Sequence, residues 1–191
     1  MSGSPVLATG RIRTAANGVT VARLAATPLL VLIVVRATPS WAALVFWLAL
    51  AASDVADGWL ARRRGPSTSG AFLDPLADKF MVLGALVAMV ALGKFTWVPV
   101  ALLAVREVLI TGYRLAVAKQ GVSVPARWVG KVKTLVEFFT VGLVLLPVAW
   151  SSRLTVSRVT LWLAVVLAWT SAAQYLLDSR AASRRTFATR A

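Results

Sequence analysis

Asp54-Val-Ala-Asp57-Gly58-Trp-Leu-Ala61-Arg62 and, a short polar stretch later, Gly70-Ala-Phe-Leu-Asp74-Pro-Leu-Ala-Asp78 hold four of the seven carboxylates in a chain of 191 residues. Apolar residues extend each half into a run long enough to cross a bilayer, near residues 41–61 and 70–93. Between the runs lies Arg62-Arg-Arg-Gly-Pro-Ser-Thr-Ser69, a charged segment with the Gly, Pro and Ser of a turn. Asp54 and Asp57 are three residues apart, and Asp74 and Asp78 are four apart, so each pair occupies one face of its helix. A short loop makes the two helices antiparallel neighbours, and their ends bring the four carboxylates together. The stretch therefore predicts an all-α fold built from membrane-spanning helices.

The rest of the chain continues that pattern. Apolar runs near 19–36, 97–119, 127–149 and 155–177 complete a set of six expected spans, with Pro28 as a potential kink and Pro39-Ser40 as a turn. Hydrophobic residues make up 59% of the chain, more than a soluble domain of this length carries. Residues 1–10 are expected to be disordered, 11–178 to form a single membrane domain, and 179–191 to be a basic tail. Residues 11–18 fit either a short interfacial helix or a basic flank. Six spans place both termini on one side. The terminal segments and the loops after spans two and four hold most of the Lys and Arg, so that side is cytoplasmic. The first apolar run has no small-residue cleavage site after it and reads as a permanent helix.

The formal net charge of +14 raises the possibility of nucleic-acid binding. The basic residues, however, cluster at the ends of apolar runs, as membrane topology requires, and nucleic acid is not expected as a partner. With no cysteine and no histidine, thiolate nucleophiles, Cys/His zinc sites and imidazole bases are excluded. Metal binding and proton transfer fall mainly to Asp54, Asp57, Asp74, Asp78, Glu107, Glu137 and Asp178.

Four convergent carboxylates cannot all remain ionised without cations. Hard divalent ions such as magnesium take oxygen ligands and leave open positions for phosphate, and a pair of them suits displacement at phosphorus. Gly58 and Gly70 allow a close approach, and Arg62 to Arg64 supply positive charge. Taken singly, each Asp also fits a surface salt bridge or the ion site of a small cation transporter.

The two halves together, D-x-x-D-G-x-x-A-R followed by G-x-x-x-D-x-x-x-D, closely resemble the motif of the CDP-alcohol phosphatidyltransferases. A transporter would have no use for the Gly58, Arg62 and Gly70 context. Seven residues separate Arg62 from Gly70, fewer than is usual in the family. Asn17-Gly-Val-Thr20-Val-Ala-Arg23 looks like the family's N-x-x-T-x-x-R approach to the first span, with Ala16 where Pro is usual. The resemblance implies that Asp54, Asp57, Asp74 and Asp78 hold two divalent ions, Mg2+ or Mn2+. It also implies that Asp78 is the general base toward the acceptor hydroxyl, and that Asn17, Thr20, Gly58 and Arg62 contact the CDP-lipid. A loop hydroxyl usually joins these contacts. Counting forward from Arg62 gives Thr68, and counting back from Gly70 gives Ser67.

Arg106-Glu107-Val-Leu-Ile-Thr-Gly112-Tyr-Arg114 and Gly130-Lys131-Val-Lys133-Thr134 resemble the branch of the family that moves a phosphatidyl group from CDP-diacylglycerol to glycerol 3-phosphate and releases CMP. Its phosphorylated acceptor needs cations, which Arg106, Arg114, Lys131 and Lys133 offer. Lys131 and Lys133 cannot share one helix face. Members with other acceptors (phosphatidylglycerol, inositol phosphate or serine) are the near alternatives. The family also implies a homodimer and an active site facing the cytoplasm. The Ala, Val and Arg bias points to a GC-rich bacterial genome and no further; the membrane expected is the bacterial plasma membrane.

Overall fold

A computed structural model describes the backbone of residues 15–64, 70–119, 128–149 and 151–188, with side chains over 22–53, 79–117, 128–149 and 151–180. Thr68, residues 1–10 and most of the loop before Gly70 lie outside the described residues. Among those described there are six helices and no strand: α1 Ala15–Ala37, α2 Trp41–Arg64, α3 Gly70–Ala91, α4 Trp97–Lys119, α5 Trp128–Leu145 and α6 Arg153–Ala188. The expected all-α class is observed.

Local chemistry sets the helix ends. The Ser40 hydroxyl accepts from Ala43 N–H at 3.1 Å, an N-cap that starts α2. Gly93, at φ 66°, ends α3: its N–H reaches Val90 O and the Lys94 N–H reaches Met89 O, both at 2.9 Å. A left-handed residue is needed there, and glycine adopts that conformation without steric cost. Helix α5 ends at Leu145, short of the expected 149, because Pro147 restricts the residue before it and cannot donate. Helix α1 begins at Ala15, so part of the uncertain basic flank is continuous with the first helix.

Short connections make sequential helices antiparallel, and contacts between connections fix the two ends of the bundle. Ser40 N–H donates to Leu145 O at 3.2 Å, Arg158 Nε donates to Lys94 O at 3.1 Å, and Arg153 bonds Leu146 O. One end therefore holds the α1–α2, α3–α4 and α5–α6 connections. The opposite end holds the end of α2, the start of α3 and the end of α4. Helix α1 packs on α2 and α3, α6 packs on α4 and α5, and α3 joins the two halves through α4 and α5.

One core runs through all six helices, including Leu30, Trp47, Met89, Leu103, Val141 and Leu161. Trp47 is fully buried and stacks on Phe138, with ring centroids 4.2 Å apart. Gly84 brings α3 close to α1: a Cβ there would stand 3.4 Å from the Val31 side chain. Outside the core, every helix exposes large apolar side chains, among them Leu29, Val45, Val87, Val108, Phe139 and Val166. Apolar exposure on this scale calls for a non-aqueous surrounding. Among the described residues, Arg153–Arg180 is long and apolar enough to cross a membrane, and Trp41–Ser53 and Lys79–Ala91 are shorter apolar stretches.

Candidate functional site

Helix α2 is continuous through Asp54, Asp57, Gly58 and Arg62 to Arg64, and α3 is continuous from Gly70 through Asp74 and Asp78. By helical register each Asp pair shares a face, and both pairs lie toward the same end of the bundle. The side chains of these residues, and those of Asn17 and Thr20 in α1, lie outside the described set. Two described neighbours bracket the carboxylates. Arg23 of α1, buried, brings Nε and a terminal nitrogen to 3.4 Å from the hydroxyl of Ser53, the residue before Asp54. Lys79 immediately follows Asp78.

Lys79 belongs to a charge cluster that ties four helices together. Its ammonium donates to Glu107 Oε2 at 2.9 Å and to Thr111 Oγ1 at 2.5 Å, both on α4. The other oxygen of Glu107, Oε1, accepts from Lys133 of α5 and from Arg106, each at 2.5 Å. Lys133 also pairs with Glu137 one turn along α5, at 3.2 Å. Arg106 reaches α6 as well: Nε donates to Ala168 O at 3.0 Å and a terminal nitrogen to Ser171 Oγ at 2.9 Å. The side chains of Glu107, Lys133 and Glu137 are each 7% exposed, whereas that of Lys79 is 33% exposed. Buried charges survive only when paired and hydrogen-bonded, and among the described residues three cations meet two carboxylates, leaving one positive charge in excess.

The four cations expected around an acceptor phosphate separate into two kinds. Arg106 and Lys133 are buried in this cluster. Arg114 and Lys131 are exposed. Arg114 stands on the Glu107 face of α4, two turns along, with its guanidinium 5.1 Å from the Tyr175 ring centroid. The adjacent Tyr113 hydroxyl lies 2.9 Å from Ser179 Oγ. Of the two α5 lysines, Lys133 points inward. Gly130 lets α5 approach α6: a Cβ there would lie 3.5 Å from Ser171 Oγ, the hydroxyl that holds Arg106.

Lys79 lies outside the site residues expected from the sequence, where Glu107 and Glu137 stand only among the seven carboxylates open to metal binding or proton transfer. A signal was available, since a charged residue deep within an apolar helix requires a partner. The i, i+4 spacing of Lys133 and Glu137 names one such pair directly.

Residues 13–170 match the CDP-alcohol phosphatidyltransferase family, and the chain belongs to it. The family is one of membrane-bound, generally divalent-metal-dependent transferases. Within it, the chain is 40% identical over 163 residues to a probable phosphatidylglycerophosphate synthase of Mycobacterium tuberculosis strain H37Rv, covering 82% of this chain and 77% of the relative. It is 40% identical over 150 residues to the CDP-diacylglycerol–glycerol-3-phosphate 3-phosphatidyltransferase of Sodalis glossinidius, covering 74% of this chain and 80% of that one. Over 152 residues it is 39% identical to the enzyme of the same name from Shigella flexneri serotype 5b, covering 75% and 81%.

Proposed function

We propose that this chain transfers the phosphatidyl group of CDP-diacylglycerol to glycerol 3-phosphate, giving phosphatidylglycerophosphate and CMP. The observation that carries the reading is the complete two-part Asp motif on two consecutive, continuous helices, in a chain about 40% identical to relatives named for this reaction. Asp78 accepts the proton of an acceptor hydroxyl. That oxygen attacks the phosphorus bearing the diacylglycerol, a new P–O bond forms, and the pyrophosphate P–O bond breaks with its electrons leaving on CMP.

Asp54, Asp57, Asp74 and Asp78 form an all-oxygen donor set that suits two hard ions, Mg2+ or Mn2+. Bound there, such ions neutralise the pyrophosphate and the charge developing on CMP. Asn17, Thr20, Gly58, Arg62 and Thr68 (or its neighbour Ser67) serve the CDP-lipid. Arg114, exposed on the Glu107 face of α4, serves the acceptor phosphate, whereas Lys133 is held in the buried cluster by Glu107 and Glu137 and Arg106 holds α6 against α4.

The proposed setting is a bacterial plasma membrane crossed six times, with both termini and the active site cytoplasmic and the protein a homodimer. Supporting the six spans, all six helices expose apolar side chains, and Trp41, Trp97 and Trp128 stand exposed at helix starts, where interfacial aromatics belong. Purified protein given CDP-diacylglycerol and, in turn, glycerol 3-phosphate, phosphatidylglycerol, inositol phosphate and serine tests the reading. Preferential CMP release with glycerol 3-phosphate is expected. Preference for another acceptor would move the chain to a different branch of its family.

A further inference from the structure

We propose that Lys79 is a further contact for the phosphate of the acceptor, and that Glu107 is the residue that positions it. The inference rests on the reading that glycerol 3-phosphate is the acceptor.

Glu107 holds more cations than its charge requires. Glu107 already has two cations, Arg106 and Lys133, both on Oε1 and both buried. Lys79 is not needed to neutralise it, yet α3 delivers a third cation to Oε2. An ammonium has three N–H donors. Glu107 and Thr111 take two of them among the described residues, at 2.9 and 2.5 Å, and fix the direction of the third. A third of the Lys79 side chain remains exposed while the rest of the cluster is sealed, so the excess positive charge has its outlet at Lys79.

The position suits the acceptor. Its reacting hydroxyl and its phosphate are separated by a three-carbon backbone, so the cation that holds the phosphate must stand a few ångströms from the group that takes the proton. Lys79 follows Asp78 on α3, ~100° farther round the helix, so its ammonium is directed to α4, where Glu107 and Thr111 hold it beside the Asp78 face. A dianion there offsets the surplus charge of the cluster, and Glu107 fixes the flexible lysine on the α4 side.

Steady-state kinetics of the full-length protein, varying each substrate in turn, test this with Lys79→Met, Glu107→Gln and the double variant. Each single change is expected to raise KM for glycerol 3-phosphate about tenfold or more, as loss of a charge-assisted contact does. KM for CDP-diacylglycerol should stay within roughly twofold. Because Glu107 acts through Lys79, the double variant should be no worse than the worse single one. Lys79→Arg should recover part of the loss. Should Glu107→Gln fail to fold, Lys79→Met carries the test, since it leaves Glu107 with Arg106 and Lys133. An unchanged KM for glycerol 3-phosphate in Lys79→Met, or equal loss toward both substrates, overturns the role of Lys79. A lowered KM in Glu107→Gln shows that Glu107 competes with phosphate and overturns its positioning role. Wild-type protein that ignores glycerol 3-phosphate removes the underlying reading instead, a separate result from an active wild type with an indifferent Lys79→Met.

Discussion

Replacing Arg106 with methionine keeps the apolar stem and removes a guanidinium that joins α4 to α6. Three interactions go: the 2.5 Å pair with Glu107, the 3.0 Å bond to Ala168 O and the 2.9 Å bond to Ser171 Oγ. Breaking a buried ion pair typically costs about 3–5 kcal/mol. Glu107 retains Lys79 and Lys133, which places this case near the lower bound, about 3 kcal/mol. For a chain of this size each kcal/mol lowers Tm by about 2–4 °C, so the midpoint should fall by about 6–12 °C. The assay is thermal denaturation in detergent, followed by tryptophan fluorescence and by the monodisperse fraction on size exclusion. At temperatures where the variant is still folded, KM for both substrates should remain close to wild type. A midpoint within about 2 °C of wild type with a selective rise in KM for glycerol 3-phosphate would refute the reasoning, because Arg106 would then be a phosphate ligand and not a brace between helices.

Asp54→Asn, Asp57→Asn and Asp74→Asn should each lose metal affinity and turnover together. Asp78→Asn should lose turnover while keeping CDP-lipid binding, measured by equilibrium binding of a CDP-lipid analogue. Arg114→Ala should raise KM for glycerol 3-phosphate about tenfold and leave that for CDP-diacylglycerol nearly unchanged; steady-state kinetics with each substrate varied decide it, and equal effects on both would mark Arg114 as structural. The chain has no cysteine, so single cysteines placed at Lys94 and Arg190 can be titrated in intact cells with a membrane-impermeant maleimide. Labelling at 94 and protection at 190 is the pattern that cytoplasmic termini predict.

The helices were legible because their causes are local. Long apolar runs alternate with turn chemistry, as at Pro39-Ser40, and each run becomes one helix. The misplaced boundary also has a local cause: Pro147 stops α5 before the apolar run ends. At the site, the register of Asp54 with Asp57 and of Asp74 with Asp78 could be read from spacing, since it needs only a helix. The cluster around Glu107 could not, because Lys79, Arg106 and Lys133 come from three helices and meet only through the packing of α3 and of α6 on both α4 and α5. What the sequence did offer was the presence of Glu107 and Glu137 deep within apolar runs, where an unpaired charge is costly. Following those two residues as closely as the four aspartates would have brought the lysines into view. Arg106 shows the converse: a cation in a recognisable motif reads as a ligand, and only the Ala168 and Ser171 contacts reveal its structural work.

The proposed chemistry is a metal-dependent transfer of a phosphatidyl group at the four aspartates. Its most direct test is the simultaneous measurement of CMP and phosphatidylglycerophosphate from purified protein supplied with CDP-diacylglycerol and glycerol 3-phosphate, first in excess EDTA after carried-over metal has been removed, then with Mg2+ or Mn2+ restored. No product is expected in EDTA and, with either ion, the two products should appear in equal amounts. Undiminished product formation in EDTA, or CMP released without the matching lipid, would contradict it.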